Sequence, residues 1–353
     1  MLRLGLFANG VGLCYRVFLA ALLLAATVGP TVTSSATTDP LVVAWATDGE
    51  LFVWRGGDSQ PQRIAGDDVI RPFLSPDGTQ VAYLRGPGGD PQSVWISNVS
   101  GSGARLLIDA LALMPDDPTR RPGQIVWAAG QIYFNTLTGE QINLHTADDL
   151  WRADPVSGAV ERLLPDGEGG RIFPSLDGSR LALAAAGAYI QPGEAPRLLG
   201  TIAFYDAATG ERRTALEFPA VATGSEWRWY PTLRWLADSR GVLTAIPVPD
   251  LVYGDGKTAL WSLLSDGDPV RLGTVDADFF GLPVFSADGN WITYIDRRDS
   301  FDQEALTLIV AERDGSGRKS YAEGSVGSLG AAHWLPSTDQ FLYMNGTPGD
   351  LWI

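Results

Sequence analysis

The sequence predicts an all-β fold: a β-propeller of about seven four-stranded antiparallel blades, the first and last incomplete. Three observations carry this expectation: composition, a recurring hairpin, and the even spacing of its copies. Of 353 residues, 45% are hydrophobic and 19% charged, which is the balance of a chain able to bury a core. Gly (41), Pro (23) and Trp (12) are plentiful while Met (3) is scarce, a bias toward turns and aromatic strands over long helices.

The hairpin is an apolar strand that ends in Asp-Gly and returns as a second strand. It reads FLSPDGTQVAYL from Phe73 and VFSADGNWITYI from Val284, with looser copies from Phe173, Leu233 and His333. A copy from Ile125, IVWAAGQIYF, has lost the Asp. Asp-Gly between alternating apolar runs is a strong hairpin signal, because Gly tolerates the positive φ of a tight turn. A second hairpin follows each first one, as in SVWISNVSGSGARLL from Ser93 and DLWRADPVSGAVERLL from Asp149, so the unit has four strands. Equivalent positions at Leu74, Trp127, Pro174, Trp235, Phe285 and Trp334 lie 53, 47, 61, 50 and 49 residues apart, the size of one blade. Three further strands are expected from Leu41, and the last unit reaches Ile353 one strand short. Six blades is the alternative, since chain ends often share a blade to hide exposed strand edges.

Ser75-Pro76-Asp77-Gly78 followed by Val81-Ala82-Tyr83, with Val94-Trp95 or Leu150-Trp151 opening third strands, resembles the TolB-type, WD40-like propeller repeat. The similarity runs from about Leu41 to Ile353. The resemblance implies an extracytoplasmic binding platform. Its family includes periplasmic scaffolds and the propeller domains of prolyl-oligopeptidase-like enzymes. The separate amino-terminal α/β domain of the family's namesake has no counterpart between leader and repeats, so the resemblance does not extend to the Tol-Pal role.

Residues 1–36 read as an export signal: a weakly basic stretch to Arg16, an apolar run from Val17 to Val28, then Ser34-Ser35-Ala36. The run is shorter than the roughly 20 residues needed to span a bilayer, so membrane contact is expected only through an uncleaved leader. Residues 37–40 form a linker and 41–353 a single propeller domain. Cys14 belongs to the leader, which leaves the mature chain without disulfides, thiolate metal sites or cysteine nucleophiles. Without the leader, 24 basic residues face 41 acidic ones, so nucleic acid is not an expected partner.

In a four-stranded meander, the first-to-second and third-to-fourth connections share one face, and the second-to-third and blade-to-blade connections share the other. The Asp-Gly hairpins keep the first face short, while Met114–Gln124, Thr136–Asp148, Gly187–Gly200, Phe218–Pro231, Pro247–Thr258 and Asp296–Glu304 make the second face long. Binding residues concentrate on long loops held by a rigid scaffold. On that face Trp227, Arg228, Trp229 and Tyr230 form the sharpest candidate ligand site, with Tyr253, Arg297, Arg298 and His145 as further candidates. Packing between blades is the competing reading of these aromatics, and solvated charge that of Arg120-Arg121 and Arg297-Arg298. His145 near Asp148 and Asp149 lacks a second His and gives poor metal geometry, and His333 is expected to pack on an inner strand. No metal or cofactor is expected.

Gly256-Lys257-Thr258 lacks the preceding Gly of a phosphate loop, since Leu251 stands there. No Gly-x-Ser-x-Gly elbow occurs, and no hydrolase domain is expected after the repeats. The expectation is therefore a monomeric, non-enzymatic extracytoplasmic binding module for a protein or a cell-envelope polysaccharide. The alternative is a propeller enzyme, a lyase or glycosidase acting on polysaccharide.

Overall fold

The computed structural model describes residues 41–138, 145–186, 199–221, 228–248, 256–277, 281–297, 305–325, 328–330, 332–335, 340–346 and 351–352. The leader and linker lie outside them. Among the described residues, seven antiparallel sheets follow one another along the chain. The first holds β1 (Val42–Thr47), β2 (Glu50–Arg55) and β3 (Gln62–Ala65); the second holds β4 (Val69–Leu74), β5 (Gln80–Arg85), β6 (Ser93–Asn98) and β7 (Arg105–Asp109). The third contains β8 (Arg121–Ala128), β9 (Gln131–Thr138), the short β10 (His145–Thr146), β11 (Leu150–Ala153) and β12 (Val160–Leu164). In the fourth are β13 (Arg171–Pro174), β14 (Arg180–Ala185), β15 (Gly200–Asp206) and β16 (Arg212–Phe218). The fifth comprises β17 (Leu233–Trp235), β18 (Gly241–Pro247), β19 (Thr258–Leu264) and β20 (Val270–Val275). β21 (Val284–Phe285), β22 (Trp291–Arg297), β23 (Leu306–Glu312) and β24 (Lys319–Gly324) make the sixth, and β25 (His333–Trp334), β26 (Phe341–Met344) and β27 (Leu351–Trp352) the seventh.

The core lies between sheets rather than within any one of them. Six apolar clusters each join one consecutive pair, from the first and second sheets (Leu51 with Val81) to the sixth and seventh (Leu308 with Phe341). The reason is the two-residue period of a strand, which sends alternate apolar side chains to opposite faces, each needing a neighbour to cover it.

Two local devices alternate around the series. In the second, fourth and sixth sheets the first hairpin is held by a buried Ser: Ser75, Ser175 and Ser286 each donate to the turn Asp (Asp77, Asp177, Asp288) at 2.5, 2.6 and 2.5 Å. The same hydroxyls accept the N–H of Gln80, Arg180 and Trp291, each at 3.0 Å. These bonds favour the ionised carboxylate, led in each case by the Ser hydroxyl, and hold all three Asp groups below their usual range, Asp177 at about 2. In the third, fifth and seventh sheets a Trp takes over: Trp127, Trp235 and Trp334 donate Nε1–H to the carbonyls of Phe73, Phe173 and Val284 in the preceding sheet, at 3.0, 2.9 and 3.0 Å. The copy that lost its Asp turns at Ala129-Gly130, both at positive φ (48° and 71°), the geometry of a two-residue hairpin.

The first sheet departs from the repeat. Its β2–β3 register slips between Leu51 and Phe52, as the third and fourth strands slip between Val94 and Trp95 and between Leu150 and Trp151. β1, β2 and β3 are thus the second, third and fourth strands of a blade. Accordingly, the Asp48-Gly49 turn lies on the long-connection face, where the Gly49 carbonyl accepts Val69 N–H at 3.0 Å, and not with the Asp-Gly turns of the first hairpins.

Candidate functional site

The long-connection face is organised by the segment between β9 and β11. Asp149 is fully buried, and its carboxylate accepts Thr136 N–H (2.7 Å), the Thr136 hydroxyl (2.7 Å) and Trp151 Nε1–H (2.6 Å). Arg120, also buried, donates to the Thr136 hydroxyl at 3.1 Å, forks onto Asp166 at 3.3 and 3.1 Å, and stands 3.9 Å from Asp149. Arg121 pairs with Asp90 at 3.1 Å. The reading of Arg120-Arg121 as solvated charge is therefore corrected: both tie connections together, and their acidic partners lie 46 and 31 residues away.

Beside this network, Asp148 is buried with φ at 54°, a left-handed conformation that Asp and Asn tolerate better than other non-glycine residues. The Tyr230 hydroxyl donates to Asp148 at 2.9 Å, and Arg228 Nη1 lies 3.9 Å from the other carboxylate oxygen and donates to the Thr146 carbonyl at 3.3 Å. Burial pushes the Asp148 carboxyl up to about 6 despite the Tyr230 bond and the Arg228 charge. Burial, then the Asp148 charge, pushes the Tyr230 phenol well above its usual value. The Arg171 guanidinium sits 4.6 Å from the centre of the Tyr230 ring. The stretch before β17 is thereby bound to the third sheet across the fourth.

Of the sequence candidates, Arg228, Trp229 and Tyr230 come together here. Trp229 is half-buried, edge-on to Phe218 at 6.0 Å, and Tyr230 is buried, so both aromatics pack while Arg228 stays exposed. His145 contributes its backbone to β10, opposite Thr138, and Arg297 ends β22, the side chains of both lying outside the description. Trp227, Tyr253 and Arg298 lie outside the described residues. His333 is exposed at the start of β25, which corrects the expectation that it packs. Sequence reasoning does not single out Arg171 or Arg71, and weighs Asp148 only as a neighbour of His145, although Arg71-x-Phe73 and Arg171-x-Phe173 recur in register ahead of Leu74 and Pro174. Among the described residues, no group of His, Cys, Asp and Glu could hold a metal ion.

No family model matches the chain, and no curated protein matches it. Among solved structures it is similar to an oligogalacturonate lyase in complex with manganese, with a TM-score of 0.57 at 12% identity over 89% of this chain and 85% of that one. It is also similar to the oligogalacturonate lyase of Vibrio parahaemolyticus, with a TM-score of 0.56 at 12% identity over 87% and 83%. TolB from Acinetobacter baumannii aligns over 91% of this chain and 72% of its own, at 16% identity and a TM-score of 0.40. The chain is a β-propeller. At these identities the likeness is one of fold, and it accords with the four-stranded antiparallel sheets described above. Among the described residues no helix is long and apolar enough to cross a membrane, and the helix α1 spans only Ala110–Leu113.

Proposed function

We propose that this propeller is a non-enzymatic extracytoplasmic binding module that holds a protein or a cell-envelope polysaccharide on its long-connection face. The observation that carries the reading is the division of the connections: tight, side-chain-locked hairpins at one end, and at the other long connections anchored through Asp148, Tyr230 and Arg228. A rigid platform under long loops is the usual setting for recognition. The described carboxylates nearest the site are engaged, Asp149 by three donors and Asp148 by Tyr230, which favours a structural use over acid–base chemistry.

The test is a hydrogen-exchange footprint of the protein bound to a partner retained from the envelope fraction. Protection is expected at 146–149 and 228–232, with none at the Asp77-Gly78 and Asp177-Gly178 hairpins. Protection confined to those hairpins overturns the reading. Turnover on a panel of polysaccharides, lost in Asp148→Asn, would replace it with the enzyme reading.

A further inference from the structure

Four arginines stand on the innermost strands: Arg71 on β4, Arg121 on β8, Arg171 on β13 and Arg234 on β17. Arg121 is engaged by Asp90. Among the described residues, the other three side chains have neither an ion pair nor a hydrogen bond, and the buried Arg234 Nε is without any partner. This stands out in a chain where 41 acidic residues outnumber 26 basic ones. Acidic residues are abundant, yet among the described residues none is paired with these three side chains.

Arg71 and Arg171 hold the same position in two blades, three residues before Leu74 and Pro174. Strand alternation puts each on the same side as the Phe two residues on, Phe73 and Phe173. Both arginines are exposed and both phenylalanines half-buried. Each Phe carbonyl is fixed by the Trp of the following blade, Trp127 or Trp235. An exposed Arg two residues before a half-buried Phe, whose ring packs against the core between blades and whose carbonyl is held by an indole, therefore occurs twice. Both copies lie toward the starts of their innermost strands, at the long-connection mouth of the central channel, and Arg171 and Arg228 flank Tyr230 there.

Unpaired guanidinium groups gathered at one mouth repel one another and attract anions. The guanidinium fork fits a carboxylate in two parallel hydrogen bonds, and an aromatic face accepts the apolar face of a sugar ring. We infer that Arg71-x-Phe73 and Arg171-x-Phe173 are two copies of one subsite for a uronic-acid oligosaccharide, with Arg234 deeper in the channel. A ligand whose carboxylate is fixed to a ring and recurs along a chain matches a charged fork beside a ring that itself recurs between blades. The inference rests on the proposed binding role of this face and narrows it to the channel mouth and to an acidic glycan.

The experiment is calorimetric titration of the mature chain with three probes: a uronic-acid hexasaccharide, the same hexasaccharide with its carboxyl groups reduced, and a hexaglutamate peptide. The acidic sugar is expected to bind, more weakly as salt is added, and the reduced sugar at least tenfold more weakly. Arg71→Gln and Arg171→Gln should each weaken binding about fivefold or more, and the pair should abolish it. Arg71→Gln should leave the melting temperature unchanged, because that side chain has no partner to lose among the described residues, while Arg171→Gln gives up only its contact with the Tyr230 ring. Equal binding of the reduced sugar, tighter binding of the peptide, unaltered affinity in both variants, or no binding of the acidic sugar would each overturn the inference. None of these outcomes bears on the footprint, which reads any partner on this face.

Discussion

Three properties of Asp148 set what it contributes to stability. It is buried, it sits at positive φ, and its carboxyl is held near 6. Its folded-state value lies above the ordinary 3.8, so the native state binds the proton more tightly than the unfolded chain does. Stability tied to this group is therefore fully present below about pH 4 and is lost as pH rises through about 6. A shift of this size corresponds to a penalty on the order of 2–3 kcal/mol for the ionised form. Asp148→Asn keeps an acceptor for Tyr230, tolerates the left-handed backbone and removes the buried charge. Urea unfolding should show it more stable than the parent at pH 7.5, with the advantage shrinking toward pH 4.5. A variant less stable at pH 7.5 would mean that Arg228, though 3.9 Å away, compensates the charge more fully than burial penalises it.

At the scale of the hairpin and strand, the alternating Ser and Trp devices show how much was legible in advance. Asp-Gly turns are read easily because their physics is local, and the repeat spacing places Trp127, Trp235 and Trp334 in register. What those indoles bond to depends on the neighbouring blade, 50 to 62 residues away, which no local pattern records. The same limit explains Asp48-Gly49: a dipeptide fixes a turn but not the end of the sheet on which it falls. It also explains Arg120, whose burial depends on Asp166 in another connection. Trp235→Phe preserves most of the ring volume and removes the donor to Phe173. It should lower stability by about 1–2 kcal/mol in urea unfolding, the range for a hydrogen bond whose acceptor is left partly unmatched. Phe already occupies the equivalent position at Phe285, so the ring itself is compatible with the site. An unchanged midpoint would show that the inter-blade bond adds nothing beyond packing.

Across the whole molecule, each sheet has a core only through its neighbours. Leu243 of the fifth sheet belongs to the cluster shared with the sixth, while Val242 beside it belongs to the cluster shared with the fourth. A cavity on one side of β18 therefore weakens a strand that the other side also uses. Leu243 is fully buried, and Leu243→Ala should lower stability by about 2–5 kcal/mol, the range for a buried Leu truncated without full collapse. Stacked repeats propagate such a loss through their interfaces when coupling between neighbours exceeds what each unit can sustain alone. No sheet here is closed by its own residues, so coupling should dominate. Unfolding of Leu243→Ala is expected to remain one transition, shifted to lower urea and coincident by tryptophan fluorescence and far-ultraviolet circular dichroism. Separation into two transitions would show that the sheets before and after the fifth fold as independent blocks. The tie from Tyr230 to Asp148, which reaches across the fourth sheet, would then hold only the first block together.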